Sequence, residues 1–235
     1  TLEVQDVKNF FPFWEHKEKV QFSQEALAII SNLISNEKSP NIVISGATGT
    51  GKTELQKYII GQIPFFKRLM MIQDTNDTAI SLLYPDKDIR EIYTNDQVNI
   101  EQAIEAGLRQ LPDYLAIAEI RGQKEAKGFI SALNTGHSGI TTIHADDGLD
   151  TITRIAELTG MSEEKIGKRI NYIFHIKKIL KEDGTKLRVI NEIIKLDKKT
   201  SSNECIYSYD SFTKGNTGTP YQGSKLATYQ ARKGI

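Results

Sequence analysis

Gly46-Ala47-Thr48-Gly49-Thr50-Gly51-Lys52-Thr53 is the stretch on which the reading of this chain turns. It matches in full the phosphate-loop pattern, a glycine and four residues followed by Gly-Lys-Ser/Thr. Context matters as much as spelling. Asn41 to Ser45, just upstream, is a short Ile/Val run of the doubly buried kind, and the residues downstream continue as a helix. Glycines let backbone N–H groups turn inward around phosphate oxygens, and the helix start adds roughly half a positive charge facing them. In such a loop Lys52 contacts the β and γ phosphates and Thr53 ligates magnesium. A glycine-rich strand-to-helix turn with no ligand is the bland alternative, and the flanking strand and helix weigh against it.

Outward from the loop the same grammar repeats. Upstream, Ser23 reads as an N-cap before Ala26, Leu27, Ile30, Leu33 and Ile34 at helical spacing, and Pro40 closes that helix. Downstream come a strand from Arg68 to Ile72, a helix from about Ile100 to Leu111, and a strand from Tyr114 to Ala118. Asn99 and Gln102 form a helix-start capping pair, while Gly136 and Gly160 stand where helix ends want a left-handed residue. Further strands are expected over Gly139 to Ile143 and Tyr172 to Ile179, with a short helix from Thr151 to Leu158 between them. Strands alternating with crossovers make an α/β fold, a mainly parallel sheet flanked by helices. After Leu180 the pattern changes. Asp183-Gly184 lies between two alternating runs ending near Leu180 and Leu196, which signals a hairpin, and a third strand is expected over Cys205 to Tyr209.

Composition narrows the function classes. Thirty basic residues balance thirty acidic ones, so no bulk positive field holds nucleic acid, and direct binding to it is not expected. The single cysteine, Cys205, excludes a disulfide framework and a cysteine-based zinc site, which suits a reducing compartment. No run approaches the ~20 apolar residues of a membrane-spanning helix. The chain opens on Thr1 with no charged-then-apolar leader, which reads as a processed or partial chain.

Three further segments bear chemistry. Glu119 ends the strand from Tyr114, where parallel strands deliver ligand-facing groups. An acid there orients the attacking water or holds magnesium through its hydration shell. Gln73-Asp74-Thr75-Asn76-Asp77 follows the preceding strand, with an Asx turn as its plain reading. His137 and His144 bracket one short strand. No third ligand at metal spacing accompanies them, so a zinc site is disfavoured.

The order of these motifs resembles the secretion traffic ATPases of type II and type IV systems, closest to the conjugation and tight-adherence pilus branch. The phosphate loop, the aspartate-rich box from Gln73, the stretch from Leu108 through Glu119 to Gly122, and Thr135-Gly136-His137 through His144-Ala145-Asp146 look like that family's Walker A, aspartate, Walker B and histidine boxes. The likeness runs from about Ser23 to Leu196. It implies a RecA-like core working as a hexameric ring, with ATP and Mg2+ bound beside a preceding domain and membrane-embedded secretion or pilus proteins as partners. Localisation at the cytoplasmic face of the cell membrane follows from the same likeness. By motif match, Gly46, Ala47, Thr48, Gly49, Thr50, Gly51, Lys52, Thr53 and Glu54 hold nucleotide, joined by Asp74 and His137. Glu119, Asp77, Lys52, His144 and Arg121 form the catalytic set, and Thr53 and, through water, Glu119 serve the metal. The resulting division is a linker arm or remnant of a preceding domain over 1–22, a RecA-like ATPase core over 23–180, a β-hairpin and strand appendage over 181–212, and a flexible tail over 213–235.

Two departures from the family pattern bear on rate. Gln73 and Asp77 stand where glutamates are usual, and Asp77 is one methylene shorter, a misplacement of a size that costs on the order of 100-fold. Ala118 replaces the usual glycine before the Walker B acid. A weakly hydrolysing, ATP-binding assembly scaffold is therefore the rival reading, with a nucleic-acid translocase on the same core as another. A small-molecule kinase would want an arginine-rich lid, whereas Arg68, Arg90, Arg109 and Arg121 are scattered.

Overall fold

Strands whose two faces are both buried set the architecture. A computed structural model describes residues 18–20, 22–36, 39–76, 78–180, 184, 186–197 and 203–209. The aromatic stretch Phe10 to Trp14, Asp77, the turn residue Asp183 and the tail from 213 onward lie outside the described residues.

The first half of the chain contributes β1 (Glu18–Val20), α1 (Gln24–Asn36), β2 (Ile42–Ser45), α2 (Lys52–Gln62), β3 (Leu69–Gln73), α3 (Ile80–Leu83), β4 (Ile89–Tyr93) and α4 (Ile100–Leu108). The second half contributes β5 (Tyr114–Ile120), α5 (Gln123–Asn134), β6 (Ser138–Ile143), α6 (Asp150–Thr159), α7 (Glu163–Gly167), β7 (Tyr172–Leu180), β8 (Lys186–Leu196) and β9 (Asn203–Ser208). Among the described residues these strands form one sheet in the order β1-β8-β7-β2-β6-β5-β3-β4, with β9 also against β8. From β7 to β4 all neighbours run parallel. The β7–β8 and β8–β9 pairs are antiparallel. The sequence-read hairpin is this β7–β8 pair, and β1, in the N-terminal arm, pairs parallel to β8.

Strand alternation divides the core into two layers. Ile42, Ile44, Leu69, Met71, Tyr114 and Ala116 face α1 and α2, where Leu27, Ile30, Leu55 and Ile59 meet them. Val43, Met70, Ile72, Leu115 and Ile117 face Ile104 of α4, Phe129 of α5 and Ile155 of α6. Helices on both faces explain why β2 and β3 read as unbroken apolar runs rather than as alternating ones.

Local chemistry set several boundaries as expected. Ser23 Oγ accepts from Ala26 N at 3.1 Å, capping α1. Asn99 Oδ1 accepts from Gln102 N and Gln102 Oε1 from Asn99 N, at 3.0 and 3.1 Å, a complete capping box. Gly160 ends α6 at φ 72. The helix from Ile100 stops at Leu108 rather than Leu111, because Leu111 lies at φ 51 immediately before Pro112, which disfavours helical geometry in its predecessor. Neither β4 nor α3 was expected. β4 is an edge strand, Ile89-Arg90-Glu91-Ile92-Tyr93, whose interior charges hide its strand character and protect an open edge.

Candidate nucleotide-binding site

Because β2, β6, β5 and β3 run parallel, residues 46–53, His144, Glu119 and Gln73 all arrive at one edge of the sheet. Gly46, Gly49 and Gly51 adopt φ of 148, 70 and 98. Gly46 has no alternative, since a Cβ there would stand 2.4 Å from the carbonyl oxygen of Ile176. Residues 47–49 are exposed, while Gly51 opens α2 without any side-chain cap. The helix-start amides are thereby left facing the loop. Thr50 Oγ1 donates to Ala47 O at 2.8 Å and fixes the bend.

Lys52 is nearly buried behind the loop and donates to the carbonyls of Gly46 and Ala47 at 2.9 and 3.2 Å. Burial pulls its ammonium below the ordinary lysine value, and the negative charge of Glu119 pushes back. His144 connects the two. Its Nδ1 is 3.5 Å from Lys52 Nζ and its Nε2 is 3.1 Å from Glu119 Oε1. Arg121 Nε donates to the other carboxylate oxygen of Glu119 at 2.8 Å, and its guanidinium also binds Asp74. The bond to Glu119, then the charge of Asp74, raises the Arg121 pKa further, so this cation persists at any working pH. An open recess beside the cluster is lined by Gln73, Asp74, Thr94, Glu119, Arg121 and Glu125.

Glu119 owes its place to an irregularity. β5 and β6 pair in register up to Ile117↔Thr141 and resume at Ile120↔Ile143, so β5 spends one extra residue around Ala118 and Glu119. Side chains bind carbonyls at this bulge. Gln56 Nε2, from α2, donates to Ile117 O at 2.9 Å, and Thr142 Oγ1 donates to Ala118 O at 2.8 Å. Sequence reasoning missed both residues, and nothing in their local sequence marks them.

The other expected site residues separate. Thr53 is half-buried on the first turn of α2. Glu54 is committed to Lys57 at 2.6 Å along the same helix. Gln73 is buried, accepting from Thr78 Oγ1 at 2.8 Å and donating to Glu91 Oε2 at 3.3 Å, so it serves as a strut. Burial alone would raise the Glu91 pKa, but hydrogen bonds from Tyr93, Ser81 and Gln73 hold it below the ordinary value. His137 is not brought to the loop. The six residues of β6 separate it from His144, roughly 20 Å along a strand, and leave it at the opposite edge of the sheet, near Thr135 Oγ1 at 2.9 Å. Asp77 is outside the described residues.

The donor set fits a magnesium nucleotide. Glycine-bent backbone, uncapped helix amides, a lysine behind the bend and a threonine hydroxyl after it are what polyphosphate and a hard cation require. Fold and site together define a P-loop nucleotide-binding core of the RecA-like kind. The sequence pattern of the family described as type II/IV secretion system protein matches residues 9–219, and the chain belongs to that family. A conjugal transfer protein TrbB of Rhizobium radiobacter is 31% identical over 188 residues, covering 76% of this chain and 54% of that protein. An uncharacterized protein of Bacillus anthracis is 35% identical over 152 residues, 61% of this chain and 34% of its own length. Among solved structures, the VirB11 ATPase of the Brucella suis type IV secretion system, in complex with sulphate, superposes with a TM-score of 0.61 at 25% identity, covering 82% of this chain and 62% of that one. The chain thus spans only about a third to a half of those two sequence relatives. Among the described residues no helix is long and apolar enough to cross a membrane.

Proposed function

We propose that this chain is the catalytic part of a Mg2+-dependent ATPase that works as a ring-forming, hexameric motor for secretion, conjugation or pilus assembly. The observation that carries the reading is the continuous path from Lys52 through His144 to Glu119, which joins the phosphate loop to a carboxylate two strands away. In this reading ATP hydrolyses to ADP and phosphate. Lys52 and the loop amides hold the phosphates, Glu119 orients the attacking water, and His144 reports the γ phosphate to Glu119. Arg121 positions Glu119 against Asp74. Thr53, with Glu119 through water, would hold Mg2+, which supplies charge neutralisation at the phosphates. Partners in a membrane-embedded export apparatus, and a place at the cytoplasmic face of the membrane, are supported by the family and by the names of the relatives.

Glu119→Gln keeps the shape and hydrogen-bonding reach of the side chain and removes its negative charge. It is expected to cut steady-state ATP turnover by at least ~100-fold while ATP binding persists. Undiminished hydrolysis by the variant would overturn the assignment. Gln73, buried as a strut where the family has a glutamate, favours slow hydrolysis and keeps the scaffold reading as second. A large rate gain in Asp77→Glu would support the scaffold.

A further inference from the structure

The two flanks of the phosphate loop differ in charge. β2 pairs with β6 on one side and β7 on the other, and its last residue, Ser45, stands level with Ile143 and His175. On the β6 side lie His144, Glu119, Arg121 and Asp74. On the other side β7 continues five residues beyond Ser45, from Ile176 to Leu180, paired throughout with β8. The hairpin therefore walls residues 46–50.

Its register places Lys178 directly opposite Arg188. Like charges so placed destabilise an antiparallel pair. Both reach the same loop residue. Arg188 Nε donates to Gly49 O at 3.0 Å, and Lys178 Nζ lies 3.1 Å from the point that a Cβ on Gly49 would occupy. Gly49 is exposed and so is Lys178, whose ammonium has no hydrogen-bond or ion-pair partner among the described residues. Lys52, by contrast, is buried on carbonyls behind the loop. A bound triphosphate carries more negative charge than one lysine and one divalent cation neutralise, and the hairpin offers further positive charge on its open side.

We propose that Lys178 and Arg188 are a second cationic element of the nucleotide site, gripping the polyphosphate of a nucleoside triphosphate from the flank opposite Glu119. This rests on the nucleotide-binding reading above and adds to it residues that lie outside its motifs. Arg188 holds the tip of the loop through Gly49, and Lys178 brings its ammonium over that tip to the phosphates. The pair favours the ligand with the longest phosphate chain, so it discriminates triphosphate from diphosphate and monophosphate.

The test is a calorimetric titration of the 235-residue chain with ATP, ADP and AMP in Mg2+, at two salt concentrations. Wild type is compared with Lys178→Gln, Lys178→Arg, Arg188→Gln and Lys52→Ala. Lys178→Gln is expected to weaken ATP about tenfold, ADP less and AMP hardly at all, with a shallower salt dependence, and Lys178→Arg is expected to restore ATP affinity. Unchanged ATP affinity in Lys178→Gln, or an equal loss for all three nucleotides as a distorted loop would give, overturns the proposal. If Arg188→Gln does not fold, the two Lys178 variants decide alone, since that side chain makes no contact the fold requires. Wild type binding none of the nucleotides would sink the nucleotide reading itself. ATP binding that Lys52→Ala abolishes and Lys178→Gln leaves intact would sink this inference only.

Discussion

Gln56 is one turn beyond Lys52 on α2, and it reaches across the core to Ile117 O, two residues before Glu119. One buried amide thus ties the helix that carries Lys52 to the strand that carries Glu119. Gln56→Leu leaves that carbonyl without its donor. The expected cost is about 1 kcal/mol of stability, with kcat for ATP falling and KM nearly unchanged, because the bulge under Glu119 loses a support while the loop does not. A fall in both parameters by the same factor, or in KM alone, would refute this role. Gly46 makes the complementary case. With φ 148 and a backbone oxygen 2.4 Å from any Cβ, Gly46→Ala is expected to cost about 2 kcal/mol or more in urea unfolding and to abolish nucleotide binding. At this scale the loop was legible, since its glycines and lysine act within eight consecutive residues. Gln56, Thr142 and Arg188 were not, because each acts on a backbone atom that lies far from it in sequence.

At the scale of elements, sequence cues worked where a boundary is set by neighbours along the chain. The capping box of Asn99 and Gln102 closes over three residues, so its pattern is its mechanism. Asn99→Ala is expected to lower stability by ~1 kcal/mol. Equal stability of the variant in denaturant titration would remove the cap from the account. The hairpin was legible from its turn and alternation, but its position was not. Its first strand, β7, was read as core and puts Ile173 and Phe174 in the two core layers, and β8, read as the start of the appendage, joins the same sheet with Ile193 in one of those layers. The edge strand β4 escaped notice because its charged residues are set by exposure at the sheet's rim, which composition cannot reveal.

For the molecule as a whole, burial is the leading cause that raises the pKa values of Tyr58, Tyr84, Tyr114 and Tyr207. The folded chain keeps protons that the unfolded chain releases above about pH 10. The stability linked to these phenols is complete below that point and is lost as pH climbs through the folded-state values. An alkaline titration is expected to show phenolate absorbance of this group rising together with loss of far-UV circular dichroism. Full ionisation near pH 10 with the dichroism intact would contradict it. Sedimentation with and without ATP and Mg2+ tests the ring, a nucleotide-dependent assembly being the expected result and a persistent monomer the adverse one. The sequence by itself determined the α/β class, the phosphate loop with Lys52, and the acid at the end of a strand, because these are carried by short-range periodicity and contiguous residue types. Only the tertiary structure decided that Glu119, Arg121, Asp74 and His144 form one cluster, that His137 belongs to the far edge, and that the hairpin's cations stand over Gly49. Those outcomes depend on strand order and register, which are fixed by the packing of two core layers rather than by any local signal.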